Sequence, residues 1–241
     1  MQRMKFRGYQ LFHLHREAAE SMVRQIDEFP SFFTPRGERP FIVDCGANIG
    51  VSALEWKTRW PTADVLCFEP DPYAFKVLEK NCEFNDIPGL KCINAAVDDQ
   101  DGPVVFYGDI KTAGDARGNS IDPAWAKREG TTETTVPGVR LSKYLTDRDV
   151  SFLKLDIEGA EQRVLEEIAD CLPRIEAIYV EVHETDDSLQ RNSVAAITRL
   201  LSDAGFTIEQ EIRLDEHALP AHLRRWQAEV GAVQTQLMCW R

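Results

Sequence analysis

Three absences narrow this chain before any motif is read. No apolar run reaches the length a membrane span requires, so no membrane partner is expected. The six cysteines (Cys45, Cys67, Cys82, Cys92, Cys171, Cys239) contain no Cys-x-x-Cys pair and no zinc spacing, which excludes a zinc ribbon and a dithiol redox motif. Positive charge is scarce: 28 Lys and Arg stand against 40 Asp and Glu, a formal net charge of −12. A surface of that sign repels a phosphate backbone, and clusters such as Arg224-Arg225 are too short to reverse it, so nucleic acid is not expected as a partner. The basic start, Met1 to Arg7, runs into Gly8 to Glu20, which is too polar for a signal-peptide core. Several cysteines lie in apolar stretches, where the thiol acts as a small hydrophobe. The expectation is a cytoplasmic protein with reduced thiols. Repeats, low-complexity tracts and dividing linkers are missing too, which leaves an N-terminal helix and connector (1–40) ahead of one domain (41–241).

What is present begins at Ile42-Val-Asp-Cys-Gly-Ala-Asn-Ile-Gly50. An apolar run ends in Asp44, passes Gly46 and enters a helical pattern after Gly50, which reads as strand, glycine turn and helix N-terminus. Glycine there lets backbone amides and the positive end of the helix approach a ligand. A second strand, Val65 to Phe68, ends in Glu69, placed to accept hydrogen bonds from both hydroxyls of a ribose. The pair points to an adenosine-bearing cofactor. A dinucleotide fingerprint would put glycine where Asn48 stands, and a pyrophosphate would meet Asp44 as like charge against like. S-adenosylmethionine fits both ends, with its ribose on Glu69 and its ammonium near Asp44 and Gly46.

The order of elements supports that choice. Leu11, Leu14, Ala18, Met22 and Ile26 share a helical face, so a helix is predicted over 9–28. The aromatic, Pro/Gly-rich connector from Phe29 to Pro40 is then placed to cover the cofactor mouth. Strand 41–45, helix Val51–Trp60, strand 65–69, helix Pro72–Phe84 and strand Lys91–Val97 follow. Val104 to Tyr107 reads as an added hairpin strand, and 108–132 as an irregular insert facing substrate. Later come strand Phe152–Asp156, helix Ala160–Leu172, strand Ala177–His183 and helix Ser188–Ala204. Phe206–Ile212 and Gln234–Trp240 close the chain as two strands joined by a long helical excursion. Such alternation predicts an α/β fold with a mainly parallel sheet, helices on both faces and an antiparallel closing pair at one edge. That ending suits a methyltransferase sheet better than a dehydrogenase's second half.

Ligands in such sheets bind beyond the carboxyl ends of the strands. The predicted strand ends gather Asp44, Glu69, Asn94, Ala95, Ala96, Asp156, Glu158, Glu181 and His183. Asp156 and Glu158 lie two apart on one side of an extended segment. Gly159 permits a turn, and Glu161 opens the next helix, where the dipole favours its charge. His183 titrates near neutrality by default, which suits removal of a hydroxyl proton. Asp156, Glu158, Glu181 and His183 are also ligand types for a hard divalent cation. Carboxylates at strand ends are common without one, so a metal is left open and no ligand is assigned.

Val-Asp-Cys-Gly-Ala-Asn-Ile-Gly, Phe-Glu-Pro-Asp-Pro, Asn-Ala-Ala-Val and Leu-Lys-Leu-Asp-Ile-Glu-Gly-Ala-Glu occur in that order between about residues 40 and 185. Together they resemble the FkbM-type family of S-adenosylmethionine-dependent methyltransferases. The resemblance implies a Rossmann-like sheet of seven strands and O-methylation of hydroxyls on sugars or secondary metabolites. By that likeness Asp44, Gly46, Ala47, Asn48, Gly50, Glu69, Pro70, Asn94, Ala95 and Ala96 contact the cofactor. Asp156, Glu158 and His183 face a small hydroxylated acceptor and serve its chemistry. A nicotinamide-dependent oxidoreductase and a non-catalytic cofactor-binding subunit remain as alternatives. Nothing in the sequence sets the oligomeric state.

Overall fold

A computed structural model describes residues 1–108, 117–126, 131–213 and 228–241. The N-terminus differs from expectation. It opens with a hairpin, β1 (Gln2–Phe6) and β2 (Tyr9–His13), turning through Arg7 (φ 50°) and Gly8 (φ 90°). Two successive positive φ values are what a tight two-residue hairpin turn demands. The helix, α1 (Arg16–Asp27), starts only after it. Leu11 and Leu14 fit a helical spacing, but Leu11 and His13 are buried with the alternation of a strand. Asn81 and Asn85 fix this hairpin from outside: their side-chain oxygens accept the Phe12 N–H (2.6 Å) and the Gln10 N–H (2.9 Å).

The central sheet has seven strands in the order β11-β12-β10-β9-β3-β4-β5. These are β3 (Phe41–Cys45), β4 (Asp64–Phe68), β5 (Leu90–Ile93), β9 (Val150–Leu155), β10 (Ile175–Glu184), β11 (Thr207–Arg213) and β12 (Val233–Trp240). The five from β10 to β5 run parallel, while β12 is antiparallel to both β10 and β11. The expected antiparallel ending is therefore present, with β12 wedged inside β11. What joins those two strands lies largely outside the described residues. All of β3 and all of β9 are buried, as strands covered on both faces must be. Helices α2 (Val51–Arg59) and α3 (Pro72–Phe84) cover one face around Trp56, Leu78 and Phe152. Helices α5 (Glu161–Glu167) and α6 (Val194–Asp203) cover the other around Val164, Leu165, Ile197 and Leu201.

Two boundaries moved for identifiable reasons. The strand expected over 91–97 divides, because the Asn94 amide turns away to donate to the carbonyls of Glu69 (2.8 Å) and Pro70 (3.2 Å). Its second part, β6 (Ala96–Asp98), joins a small separate sheet with β7 (Gly102–Gly108) and β8 (Thr132–Arg140). Strand β8 escaped the sequence reading, because Pro137 and Gly138 interrupt its alternation. Helix α6 begins later than expected, where the Ser193 hydroxyl caps the Ala196 N–H.

The connector packs away from the carboxyl ends of the parallel strands. Phe29, Phe32 and Phe33 pack around Phe152, with Phe29 also on Trp56 and Tyr179 and Phe33 on Trp60. Arg36 bonds to Glu176 and the Arg241 carbonyl at the start of β10, opposite the carboxyl ends of the parallel strands. Three aromatic rings find their burial on the apolar face over Phe152.

Candidate active site

Gly46 sits where β3 leaves the sheet, with φ +79°, and a Cβ there would stand 1.8 Å from the Asp156 carbonyl oxygen. The turn is held by the Gly46 and Ala47 N–H groups, which both donate to the Phe68 carbonyl at 3.0 Å. Asn48 follows in the left-handed region (φ 48°). Gly50, also left-handed, ends the turn against Leu78, which a Cβ would meet at 2.7 Å. Asn48 tolerates that conformation because asparagine is among the few residues that do.

Glu69 closes one side of this turn. Its carboxylate accepts from the Asn48 N–H and the Asp71 N–H, each at 2.8 Å. Burial pushes its pKa up to about 8, against the pull of those two N–H groups. Asp71 caps α3 through the N–H groups of Tyr73 and Ala74, and its other oxygen accepts from the Asn119 amide at 3.0 Å. Pro70 follows Glu69 in the turn held by Asn94, while Ala95 and Ala96 are buried beside it. The polar side chains here, Glu69, Asp71 and Asn94, each hold backbone groups of the surrounding turns.

Asp44 is fully buried, and its carboxylate already has protein partners. The Trp56 indole N–H donates to it at 2.8 Å, and the Lys154 ammonium lies 3.6 Å away. Lys154 also pairs with Asp156 at 3.1 Å and reaches the Gly46 carbonyl at 3.3 Å. Burial alone would lower the lysine's pKa, but Asp156 and Asp44 overcome it and hold the group charged. Lys154 thus ties the glycine turn to the acidic motif, a link that no short motif in the sequence marks. Its signal was visible: a lone lysine inside the apolar strand Phe152-Leu-Lys-Leu155.

Asp156, Glu158 and His183 come together as the strand ends predicted. His183, buried at the end of β10, places Nε2 at 3.3 Å from Glu158 Oε2 and 4.0 Å from Asp156 Oδ1. Its Nδ1 lies 2.9 Å from Glu161 Oε1. Glu161 is in turn fixed by the Gly159 N–H (3.0 Å) and the Asn192 amide (2.7 Å), so it is more than a helix-opening charge. Burial would lower the histidine's pKa, yet Glu158, Glu161 and Glu181 raise it well above the ordinary value. Glu158 stands in the left-handed region (φ 62°), and burial pushes its pKa up to about 7.

The described part of the 108–132 insert covers this cluster. The Gly118 N–H and the Trp125 indole donate to the Glu158 carboxylate at 3.2 and 2.5 Å, and the Ser120 hydroxyl donates to its carbonyl. The Trp125 ring also meets the His183 ring edge-on at 4.6 Å. Trp125 carried no periodic signal, because a single turn of helix (α4, Pro123–Ala126) is too short for one.

Comparisons with known proteins set the chain among methyltransferases. The family model described as Methyltransferase FkbM domain matches residues 44–208. Methyltransferase 1 of Beauveria bassiana is 28% identical over 194 residues, covering 73% of this chain and 76% of that one. The 31-O-demethyl-FK506 methyltransferase FkbM of Streptomyces tacrolimicus is 31% identical over 199 residues, covering 70% and 74%. Among solved structures, that of M. jannaschii TYW2 in complex with AdoMet shares the fold, with a TM-score of 0.50, 15% identity and coverage of 100% and 86%.

Proposed function

Because this chain belongs to the FkbM methyltransferase family, we propose that it moves a methyl group from S-adenosylmethionine to a hydroxyl of a small sugar or secondary metabolite. The observation that carries the reading is the junction of two half-sites at Lys154. On one side lie the Gly46–Gly50 turn and Glu69; on the other lie Asp156, Glu158 and His183. A methyl donor on the first and a hydroxyl on the second would meet in line, and that positioning supplies much of the rate. The name of the Streptomyces relative, which methylates an oxygen of an O-demethyl compound, supports oxygen as the acceptor atom.

In this reading Glu69 accepts from the ribose hydroxyls, and the N-terminal turn of α2 faces the amino-acid end of the cofactor. Asp44 acts through Lys154 and Trp56 rather than by touching the ammonium. The acceptor's proton leaves into the Asp156–Glu158–His183 cluster. The acidity of the chain fits a neutral or cationic acceptor.

Calorimetric titration with S-adenosylhomocysteine tests the reading, with Glu69→Ala alongside. Micromolar binding that the substitution abolishes is the expected result. Absence of heat at every concentration in the wild type would refute it.

A further inference from the structure

Five carboxylates, those of Asp44, Asp156, Glu158, Glu161 and Glu181, converge at the ends of β3, β9 and β10 on two cationic side chains, Lys154 and His183. Lys154 is committed to Asp44 and Asp156. His183 spends Nδ1 on Glu161. Its Nε2 is buried and makes no hydrogen bond among the described residues. It nonetheless faces Glu158 at 3.3 Å, Glu181 at 3.8 Å and Asp156 at 4.0 Å. Nδ1 is taken by Glu161, so Nε2 is the ring nitrogen left facing these carboxylate oxygens, and it meets them favourably either as a protonated N–H or, with Nδ1–H donated to Glu161, as a lone pair across a bound cation.

We propose that Asp156, Glu158 and His183 bind a divalent cation, Mg²⁺ or Mn²⁺, beside the methyl acceptor. Each offers one ligand atom, and the three atoms lie within 4.8 Å of one another. Ligand atoms about 2.1 Å from an octahedral ion stand roughly 3.0 Å apart when adjacent and roughly 4.2 Å apart when opposite. The 3.3 and 4.0 Å separations fall within that range. Metal-binding imidazoles characteristically donate their second N–H to a carboxylate, which sets the tautomer and orients the ring. Glu161 is that carboxylate, itself held by Gly159 and Asn192. Trp125 and Gly118 donate one bond to each oxygen of Glu158, leaving lone pairs for an ion. Two carboxylates with a single imidazole favour an oxygen-preferring ion.

The inference rests on the methyl-transfer reading only for what the ion does. Three protein ligands leave positions open to oxygen, which suits an acceptor whose hydroxyl has a second oxygen beside it. The bound hydroxyl would give its proton to a carboxylate oxygen of Asp156 or Glu158 not spent on the ion; its oxygen would then bond to the methyl carbon while the carbon–sulfur bond breaks and sulfur keeps the electron pair. The ion's positive charge makes that ionisation easier.

Titration of the whole chain with Mn²⁺, followed by the electron paramagnetic resonance of the free ion, tests the site, with His183→Ala and Glu158→Gln alongside the wild type. The expected result is saturable uptake of one equivalent, displaced by Mg²⁺, and weakened at least about tenfold in His183→Ala and in Glu158→Gln. No saturable uptake, or equal uptake by the wild type and both variants, overturns the site. S-adenosylhomocysteine binding, measured separately without metal, reports on the methyl-transfer reading, so each can fail without the other.

Discussion

The Asp156 carbonyl oxygen lies where a Cβ on residue 46 would have to be, at 1.8 Å. Residues 46 and 156 leave adjacent parallel strands at the same level, so the glycine turn and the acidic motif are built against each other. Gly46→Ala is expected to force them apart, adding a clash to a left-handed strain of about 1–2 kcal/mol. A thermal melt should show a large loss of stability, and S-adenosylhomocysteine binding should disappear. A variant that melts and binds like the wild type would mean that the turn is not shaped by this contact.

Lys154 offers a second test. Removing one partner of a buried ion pair leaves the other charge uncompensated, a loss of about 3–5 kcal/mol. Lys154→Met should therefore lower the urea midpoint sharply. Adding Asp44→Asn to it should restore part of the loss, since the burden is the orphaned carboxylate. Additive losses in the double variant would show that Lys154 does not act through Asp44.

Glu69 makes a statement about pH. Its pKa of about 8 in the folded chain stands above the ordinary 4.5. The folded state therefore binds the extra proton between those values, and this group's contribution to stability falls as pH rises through that window. The slope from one such proton is at most about 1.4 kcal/mol per pH unit. Glu69→Gln should flatten the wild-type curve between pH 5 and 8 by a measurable part of that amount. Ribose hydroxyls donate to an ionised carboxylate, so S-adenosylhomocysteine should bind more tightly as pH rises towards 9 and release a proton on binding below pH 8. Equal heats in buffers of different ionisation enthalpy would contradict this.

On the acceptor side, Asp156→Asn and His183→Ala should each reduce turnover by about 10²–10⁴-fold while the chain stays folded. Full activity in both with the true acceptor would remove these residues from the chemistry.

Trp125 holds Glu158 from the insert. Trp125→Phe keeps the ring against His183 but deletes the N–H, and should raise KM for the acceptor more than it lowers affinity for S-adenosylhomocysteine. The opposite pattern in steady-state and calorimetric data would place the insert over the cofactor instead.

Much of this arrangement was legible in advance, and the reasons are local. The turn from Asp44 to Gly50 needs glycine at particular backbone positions, so residue identity reports conformation directly. Asp156, Glu158 and His183 were found because strand ends in a parallel sheet share one edge, which makes chain position a guide to place. The N-terminal hairpin was misread because Leu11 and Leu14 satisfy a helical spacing while the β1 partner lies earlier in the chain. Strand β8 was missed because its pairing with β6 and β7 compensates for Pro137 and Gly138, and pairing is not written in the strand itself.

By itself the sequence determined which residues could do chemistry and at which strand ends they would stand, since glycine turns, helix starts and apolar strands are encoded over a few neighbours. It did not decide which charges would meet. That Asp44 answers to Trp56 and Lys154, that Glu161 orients His183, and that Trp125 closes on Glu158 follow from packing between segments 12 to 110 residues apart. Burial then sets the electrostatics, because a carboxylate's pKa depends on the surfaces that exclude water from it, and only the folded chain brings those surfaces together.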